Sequence, residues 1–474
     1  MTLRPNLLVA QMCSWFFLIL PIALRVQRGF MRAASRKPGA TTPSVSTFRA
    51  VLSPAVAERR EYPAIPDVTL NGEDRLLIEG LGGDGPSAPS RSAGPLLDGI
   101  RQPKLEVADR RPRRIALSDV IRQFTPNWFS VTMGTGVLAL VLNQIPFPIP
   151  GVRELAGGLW LLDIVLFVVF TAIYAARWVL FFDDARRIFR EPVVSMFLGA
   201  IPMGLATIIN GLVIFDGGKP AIYVAYTLWW GDAMMSIACG VLVPFLMFTI
   251  QDHSLKRMTA VWLLPIVAAE VAAVSGALLV PHLSPAQAFI VLILSYVLWA
   301  FSVPLAMSIL NILLLRLVLH KLPDTDMAAS GWLALGPIGT GALRLLLLGR
   351  DAPAVFAVAG LSEVGNVAFG LGIIGGTMLW GYGAWWLLLA ILKTLHYLRD
   401  GMPFNLGCWG FTFPLGVYSL ATLALAHATG LTFFSVVGSI LVMCLAAIWL
   451  TVAVLTIVDG WDGHLFQTRP LRLR

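Results

Sequence analysis

Residues 410–419 read GFTFPLGVYS and lie inside an apolar run, near 408–428, that is long enough to cross a membrane. Pro414 removes a backbone donor and clashes with the preceding helical turn, and the flanking glycines loosen the helix further. Phe411 and Phe413 stand beside this break. The stretch predicts a membrane helix with a weak point at its centre and an aromatic ring next to it.

The composition around this stretch is typical of a membrane protein. The chain has 474 residues, of which 57% are hydrophobic and 13% charged, whereas soluble domains contain about 25% charged residues. The net charge of +8 does not indicate a nucleic-acid partner, because the arginines cluster in the N-terminal tail and in short loops. We therefore expect a polytopic membrane protein whose partners are lipid and small solutes.

Ten apolar runs follow Thr125, and each is long enough to cross about 30 Å of hydrocarbon as a helix. Lipid offers the backbone no hydrogen-bond partners, so these segments must be helical. The predicted fold class is an all-α integral membrane protein with ten transmembrane helices, arranged as five helical hairpins. The runs lie near 126–144, 157–181, 194–215, 221–250, 259–281, 286–319, 329–349, 364–395, 408–428 and 431–458.

The first 115 residues differ from the rest and are interpreted as an N-terminal extension. Residues 7–24 are apolar, and residues 35–115 are rich in Ser, Pro, Gly, Ala and Arg, a composition typical of disorder. Segment 7–24 has three interpretations: an additional or interfacial membrane segment, which we favour, a signal-like segment, or an extension without a structural role. Residues 116–474 form the predicted ten-helix transport domain.

Loop charges predict the orientation of this domain. The loops on the side of its two ends carry nine basic residues, and the opposite loops carry three. Because Lys and Arg are enriched in cytoplasmic loops, both ends are expected in the cytoplasm, with the chain in a plasma or inner membrane. The nine are Arg186, Arg187, Arg190, Lys256, Arg257, Arg316, Lys321, Lys393 and Arg399, and the three are Arg153, Lys219 and Arg350.

An internal repeat links the odd-numbered spans, because a helix-breaking residue recurs near the middle of each. Counted from Gly134, the breaks follow at intervals of 68, 63, 72 and 77 residues, and such recurrence is typical of repeat architectures. Pro244 and Pro304 in even-numbered spans weaken the pattern. We expect five kinked helices around a central pore, with breaks at Gly134, Gly136, Pro202, Gly204, Pro265, Pro337, Gly339 and Pro414.

Such a ring predicts a polar path for anions. Broken helices leave backbone groups that are tolerated at membrane depth only beside protein or water, and free N–H groups favour anions. A large aromatic ring at one break would close such a path, and Phe413 stands directly before Pro414. Phe411 lies about 200° around the helix from Phe413. Alternating access with a substrate at the midplane is the second mechanism.

Charged groups within the spans supply further candidates. Glu270 and Arg344 follow the proline of their spans by five and seven residues, so both are expected at similar depth in neighbouring helices. Three interpretations stay open: an ion pair, an anion site at Arg344, or a snorkelling Arg344. Asp163 and Asp232 are expected to have structural roles outside the path. Asn210 is expected either to face the path or to join two helices by hydrogen bonds.

Other functional classes lack sequence support. The sequence shows no constellation of catalytic residues, no ATP-binding motif, no dinucleotide fingerprint and no metal-ligand cluster. We therefore expect a transporter or channel rather than an enzyme, with no cofactor and no resident metal. A membrane-anchored sensor or scaffold that uses the N-terminal extension is the alternative of another class.

Five segments, in order, resemble the tellurite-resistance/dicarboxylate transporter family of the slow anion channel superfamily. They are FTPNWFSVTMGTGVLAL (124–140), FLGAIPMGLATIIN (197–210), WLLPIVAAEVAAVSGALL (262–279), LGPIGTGALRLLLLG (335–349) and FNLGCWGFTFPLGVYSLAT (404–422). The wording FLGAIPMG and GPIGTG is most similar to the sulfite efflux pump and malic acid transporter branches.

The resemblance implies an inner pore of odd-numbered helices, a homotrimer with one pore per subunit, and a phenylalanine on the ninth helix that closes the pore. Matching the segments places this ring at Phe413. Family substrates are anions: chloride and nitrate, sulfite, malate and other C4-dicarboxylates, besides the tellurite resistance of bacterial members. We expect efflux of sulfite or malate, with a passive chloride or nitrate channel as the alternative.

Overall fold

The computed structural model describes residues 117–461, and all regular structure within that range is helical. A short helix, Leu117–Gln123, comes first. The predicted extension 1–115, with its segment 7–24, lies outside the described residues, so the domain boundary stays a prediction. Ten long helices follow: α1 (Phe129–Asn143), α2 (Val152–Leu180), α3 (Ala200–Gly211), α4 (Lys219–Thr249), α5 (Leu264–Leu279), α6 (Pro285–His320), α7 (Leu335–Val358), α8 (Ser362–Asp400), α9 (Thr412–Thr429) and α10 (Thr432–Trp461).

The all-α membrane fold is confirmed. Within the described range, nine helical segments are long and apolar enough to cross a membrane. They contain α2 to α10, some of them with the irregular turns that flank the α-helix. Helix α1 is shorter, at 15 residues, so the count of ten membrane spans stays a prediction.

The helices form an inner and an outer layer. In the segments that contain α3, α5, α7 and α9, 67, 94, 83 and 89% of the most apolar window is buried, and 13 of the 15 residues of α1 are buried. The corresponding shares for α2, α4, α6, α8 and α10 are 17, 33, 39, 17 and 28%. The odd-numbered helices are therefore inside, and the even-numbered helices expose leucine, valine and phenylalanine side chains as a lipid-facing surface requires.

The inner helices close into a ring. Along the chain α1 contacts α3, α3 contacts α5, α5 contacts α7 and α7 contacts α9, and α9 returns to contact α1. Each outer helix packs against its own hairpin partner and against the next inner helix, and α10 packs against α1. Five hairpins thus surround one axis, as the proline repeat predicts.

The break in each inner span is a change of helix type. A 3₁₀ segment precedes every inner helix, and Pro202, Pro265, Pro337 and Pro414 lie at the second or third position of the α-helix that follows. A missing N–H is tolerated there, because the first turn has no intrahelical acceptor for it. The breaks are thus not kinks within an α-helix. The 3₁₀ segments are Pro126–Trp128, Val194–Gly199, Ala260–Leu263, Thr325–Ala334 and Leu406–Phe411.

The structure corrects the predicted break of the first span. Gly134 and Gly136 lie inside α1, which continues from Phe129 to Asn143, and the helix type changes before Phe129. Both glycines are instead points of close approach: a Cβ at Gly134 would clash with Thr412, and one at Gly136 with Thr207.

Gly204 and Gly339, which were also predicted breaks, and Gly416 likewise join neighbouring inner helices. An added Cβ would come closer than 3.0 Å to Thr132 of α1 at Gly204, to Tyr418 of α9 at Gly339, and to Val137 of α1 at Gly416. Small residues allow membrane helices to approach closely. The space at these positions is therefore occupied by the adjacent helix rather than left open to the axis.

Candidate anion pathway

The inner helices enclose a cavity of about 390 Å³ toward their C-terminal ends, which we term the vestibule. Because all five inner helices contribute to its wall, the vestibule lies on the axis of the ring. Helix α8 adds Phe369 and Ile373. The inner-helix spans contribute Leu140, Gln144, Asn210, Ile214, Val274, Leu278, Leu343, Leu346, Leu347, Arg350, Leu420, Ala424, His427 and Ala428.

The polar groups of the vestibule suit an anion. Gln144, Asn210, Arg350 and His427 are its polar lining residues, and no carboxylate belongs to the described lining. Asp351 offsets part of the Arg350 charge through two hydrogen bonds of 2.9 and 2.8 Å. The lining itself therefore offers a negative solute amide donors and a partly neutralised guanidinium, and no carboxylate.

Asn210 was singled out from the sequence, and the structure places it in the vestibule wall. Gln144, Arg350 and His427 were missed, because each resembles a residue of a helix end or loop. Their common position toward the C-terminal end of an inner helix is the signal that would have identified them.

Helix geometry predicts a second layer of axis-facing residues two turns before the vestibule. Seven residues turn a helix by 700°, about 20° short of two turns, and advance it by about 10.5 Å. Counting seven residues back from Leu140, Asn210, Val274, Leu343 and Leu420 gives the constriction layer: Met133, Met203, Val267, Gly336 and Phe413. Its four side chains are at most 4% exposed and belong to one apolar core cluster. Such a layer closes a path by filling and dewetting it.

Phe413 and Phe411 have different surroundings. Phe413 is 3% exposed and shares a face of α9 with Leu420 and Ala424 of the vestibule. Phe411 is 6% exposed, and its ring packs edge-on against Trp332, with 5.5 Å between ring centroids. Trp332 belongs to the 3₁₀ segment before α7. Phe411 therefore joins two inner spans, whereas Phe413 lies on the face of α9 that carries Leu420 and Ala424.

Gly336 leaves space within the constriction layer. It is buried, yet the nearest heavy atom to an added Cβ is Cγ1 of Val267, at 4.0 Å. Val267 is the residue that α5 contributes to the constriction layer. Its proximity to Gly336 therefore supports the assignment of both residues to the same layer. In this predicted layer, the space beside Gly336 lies at the level of Phe413.

Glu270 lies between the predicted constriction layer and the vestibule, Arg344 follows Leu343 of the vestibule wall, and both side chains are 0% exposed. Oε1 of Glu270 accepts a hydrogen bond of 2.5 Å from the Thr340 hydroxyl. Within the described residues, Oε2 of Glu270 and all three side-chain nitrogens of Arg344 have no hydrogen-bond partner. The two charges are in electrostatic range of each other, but no ion pair within 4.0 Å joins them in this part of the chain. Complete burial excludes a snorkelling Arg344.

Asp163 and Asp232 are buried away from the axis, on the outer helices α2 and α4. Oδ2 of Asp163 accepts a hydrogen bond of 2.8 Å from Thr207 of α3, which matches the structural pairing expected for it. Neither carboxylate oxygen of Asp232 has a hydrogen-bond partner among the described residues.

A closed ring of membrane helices with an acid-free axial vestibule and an apolar constriction defines a membrane protein that conducts small anions. The chain belongs to the voltage-dependent anion channel family SLAC1, whose family model matches residues 123–457. The match covers α1 to α9 and most of α10, so it confirms the family resemblance read from the five segments.

Relatives with assigned names are transporters of anions. The sulfite efflux pump SSU1 of Arthroderma benhamiae is 38% identical over 368 residues, which cover 76% of this chain and 96% of that protein. The malic acid transport protein of Schizosaccharomyces pombe is 24% identical over 350 residues, covering 71% and 78%. An uncharacterised transporter of Methanocaldococcus jannaschii is 27% identical over 356 residues, covering 74% and 97%. These names support transmembrane anion transport and belong to transporters, not enzymes.

Proposed function

We propose that the protein exports a small anion along the axis of the inner ring, and that the ring of Phe413 closes this path at rest. The observation that carries the proposal is the acid-free vestibule that ends on an apolar constriction layer. An anion is attracted to the vestibule by amide, imidazole and guanidinium groups, and it passes only when the constriction opens.

Sulfite is the leading substrate, and malate or another C4-dicarboxylate is second. The relatives at 38% identity are named sulfite efflux pumps, and the malic acid transporter is more distant, at 24%. The loop charges put both ends of the domain in the cytoplasm, so the vestibule faces outward across the plasma or inner membrane. Residues 116–474 carry transport in this proposal.

A passive chloride or nitrate channel is the second candidate, because nothing in the vestibule distinguishes sulfite from other small anions. The exposed apolar surface of the outer helices supports contact with lipid, and the family resemblance is the basis for expecting a homotrimer. Such an assembly leaves one axial path in each subunit. A scaffold function is the third candidate and requires no flux.

Flux into proteoliposomes that contain the full chain tests the proposal. Initial rates for sulfite, malate, nitrate and chloride are compared at a fixed voltage and with equal pH on both sides. We expect sulfite or malate to be transported fastest. Faster nitrate and chloride flux favours the passive channel, and no flux of any of the four anions contradicts anion transport and leaves the scaffold.

A further inference from the structure

A buried polar cluster joins α5 and α7 just below the vestibule. Glu270 precedes Val274 of the vestibule wall by one helical turn, and Thr340 precedes Leu343 by three residues. Arg344 directly follows Leu343. The hydrogen bond from Thr340 to Glu270 therefore lies beneath the vestibule lining, at what we term the floor of the vestibule, and Arg344 is in electrostatic range of Glu270.

This cluster is incomplete as it stands. A fully buried guanidinium with three unpartnered nitrogens is costly, since buried polar groups are normally hydrogen-bonded. Thr340 holds one oxygen of Glu270, and the other oxygen has no partner within the described chain. Five N–H donors of Arg344 are thus available to a ligand with acceptor oxygens.

Few other charges surround the pair. Tyr296 of α6 is in electrostatic range of Arg344. Helix α4 turns Asp232 toward the inner layer, and the sequence of α3 contains no ionisable residue. The charge balance of the site is therefore set mainly by Glu270, Arg344 and whatever anion joins them.

Low polarity restricts the charge states of this cluster. A net charge in the membrane interior is expensive, so states in which charges cancel are strongly favoured. Two such states exist. In the first, ionised Glu270 balances Arg344 and no anion is bound. In the second, a monovalent anion balances Arg344 and Glu270 carries a proton.

We propose that Arg344 binds a small anion at the floor of the vestibule and that Glu270 takes up one proton as the anion binds. The inference rests on the proposed anion transport and adds the coupling of that transport to proton movement. The proton comes from vestibule water and adds to Oε2 of Glu270, while Thr340 continues to hold Oε1. On release of the anion the proton leaves as well, so each monovalent anion moves with one proton.

Nitrate is the probe that tests this coupling, because it does not titrate near neutrality, unlike sulfite. Full-length protein in proteoliposomes, with the voltage held at zero, is assayed for nitrate flux over roughly two pH units around neutrality. We expect flux to rise as pH falls, by up to about tenfold per pH unit, as uptake of one proton requires. Glu270→Gln is expected to abolish the pH dependence, and Arg344→Gln to abolish saturable nitrate binding.

Asp163→Asn is the matched control. Like Glu270, Asp163 is 0% exposed and is bonded by one threonine hydroxyl, with its other oxygen unpartnered among the described residues. No arginine of the described range contributes to the electrostatics of Asp163. Its variant is expected to keep the pH dependence of the wild type. Equal pH profiles of Glu270→Gln and wild type, or loss of pH dependence in Asp163→Asn alone, overturn the proposal.

A measurement on the wild type does not depend on the folding of variants. Nitrate is added to the detergent-solubilised protein in weakly buffered solution, and proton uptake is followed with a pH indicator. One proton per bound nitrate supports the coupling, and binding without proton uptake overturns it. Anion flux without proton uptake leaves the proposed function intact, whereas absence of flux for every anion removes that function itself.

Discussion

The two ends of the inner ring differ in how its glycines are used. In the first turns, Gly134, Gly136, Gly204, Gly339 and Gly416 each press one inner helix against the next. Toward the C-terminal end, glycines contact the outer layer instead: Gly211 faces Trp160 of α2, Gly276 faces Trp229 of α4, and Gly349 faces α8. The ring is closed where glycines lie between two inner helices. It opens into the vestibule where glycines instead contact the outer helices. The placement of small residues therefore shapes the path as much as the prolines do.

The largest expected effect is on the closed end. A Cβ at Gly339 would lie 2.8 Å from the backbone nitrogen of Tyr418, so we expect Gly339→Ala to destabilise the protein by about 1–3 kcal/mol through overpacking. Thermal unfolding in detergent measures the change. Gly157→Ala on α2 is the control, because nothing lies within 4 Å of its added Cβ. Equal unfolding temperatures of the two variants would contradict glycine-mediated closure.

The next effect concerns the ring in the constriction layer. Phe413→Ala is expected to raise nitrate flux on the order of tenfold, as if about 1.4 kcal/mol were removed from the barrier. Phe411→Ala removes a ring that packs on Trp332 and should leave flux per folded molecule unchanged. Flux normalised to monodisperse protein is the readout. Similar flux in both variants would exclude Phe413 as the gate.

A several-fold decrease is expected when the space beside Gly336 is filled. Gly336→Val should lower flux without the loss of stability expected for Gly339→Ala, because the nearest heavy atom to an added Cβ at Gly336 is 4.0 Å away. In the Phe413→Ala background the same valine should restore part of the closure. Gly370→Val on α8, where an added Cβ meets nothing within 4 Å, is the control. Additive effects of the two axial substitutions would show that Gly336 and Phe413 do not share one layer.

The smallest effect on anion flux is expected for a substitution in the vestibule. Arg350→Gln should reduce the rate of anion flux about twofold, and the reduction should shrink at high ionic strength, because a wide, solvated vestibule screens its charges. Arg153→Gln, at the start of α2, is the matched control outside the described vestibule lining. A salt-independent loss of flux would place Arg350 in a desolvated site rather than a vestibule.

Much of this architecture could be predicted from sequence, because hydropathy and helix breakers are local properties. The apolar runs give the helices, and the recurring prolines give five equivalent inner spans. The physical form of each break could not be predicted, since proline fits both a kink and the first turn of an α-helix. Pro244 and Pro304, which look like the same signal, lie inside the long outer helices α4 and α6.

The candidate site was harder to predict, because it depends on the direction in which each side chain points around the axis of its helix. Glu270 and Arg344 were placed at similar depth, and the structure brings them into electrostatic range. Arg344 is turned about 100° from Leu343, which faces the axis, so depth alone does not decide whether a pair forms. Phe413 was identified by its position before a proline, whereas Met133, Met203 and Val267 carry no comparable mark.

Closure of the ring has a consequence for biosynthesis. The contacts that seal α1 come from α9 and α10, the last helices of the bundle, and the indole N–H of Trp449 bonds to the hydroxyl of Thr135 across 314 residues of sequence. A nascent chain with only its first four hairpins in the bilayer therefore holds an incomplete arc. The axial path is complete only when the final hairpin has joined the bundle. Assembly of the pore is therefore a late step that depends on long-range contacts, and the first four hairpins can enter the bilayer before any path for anions exists.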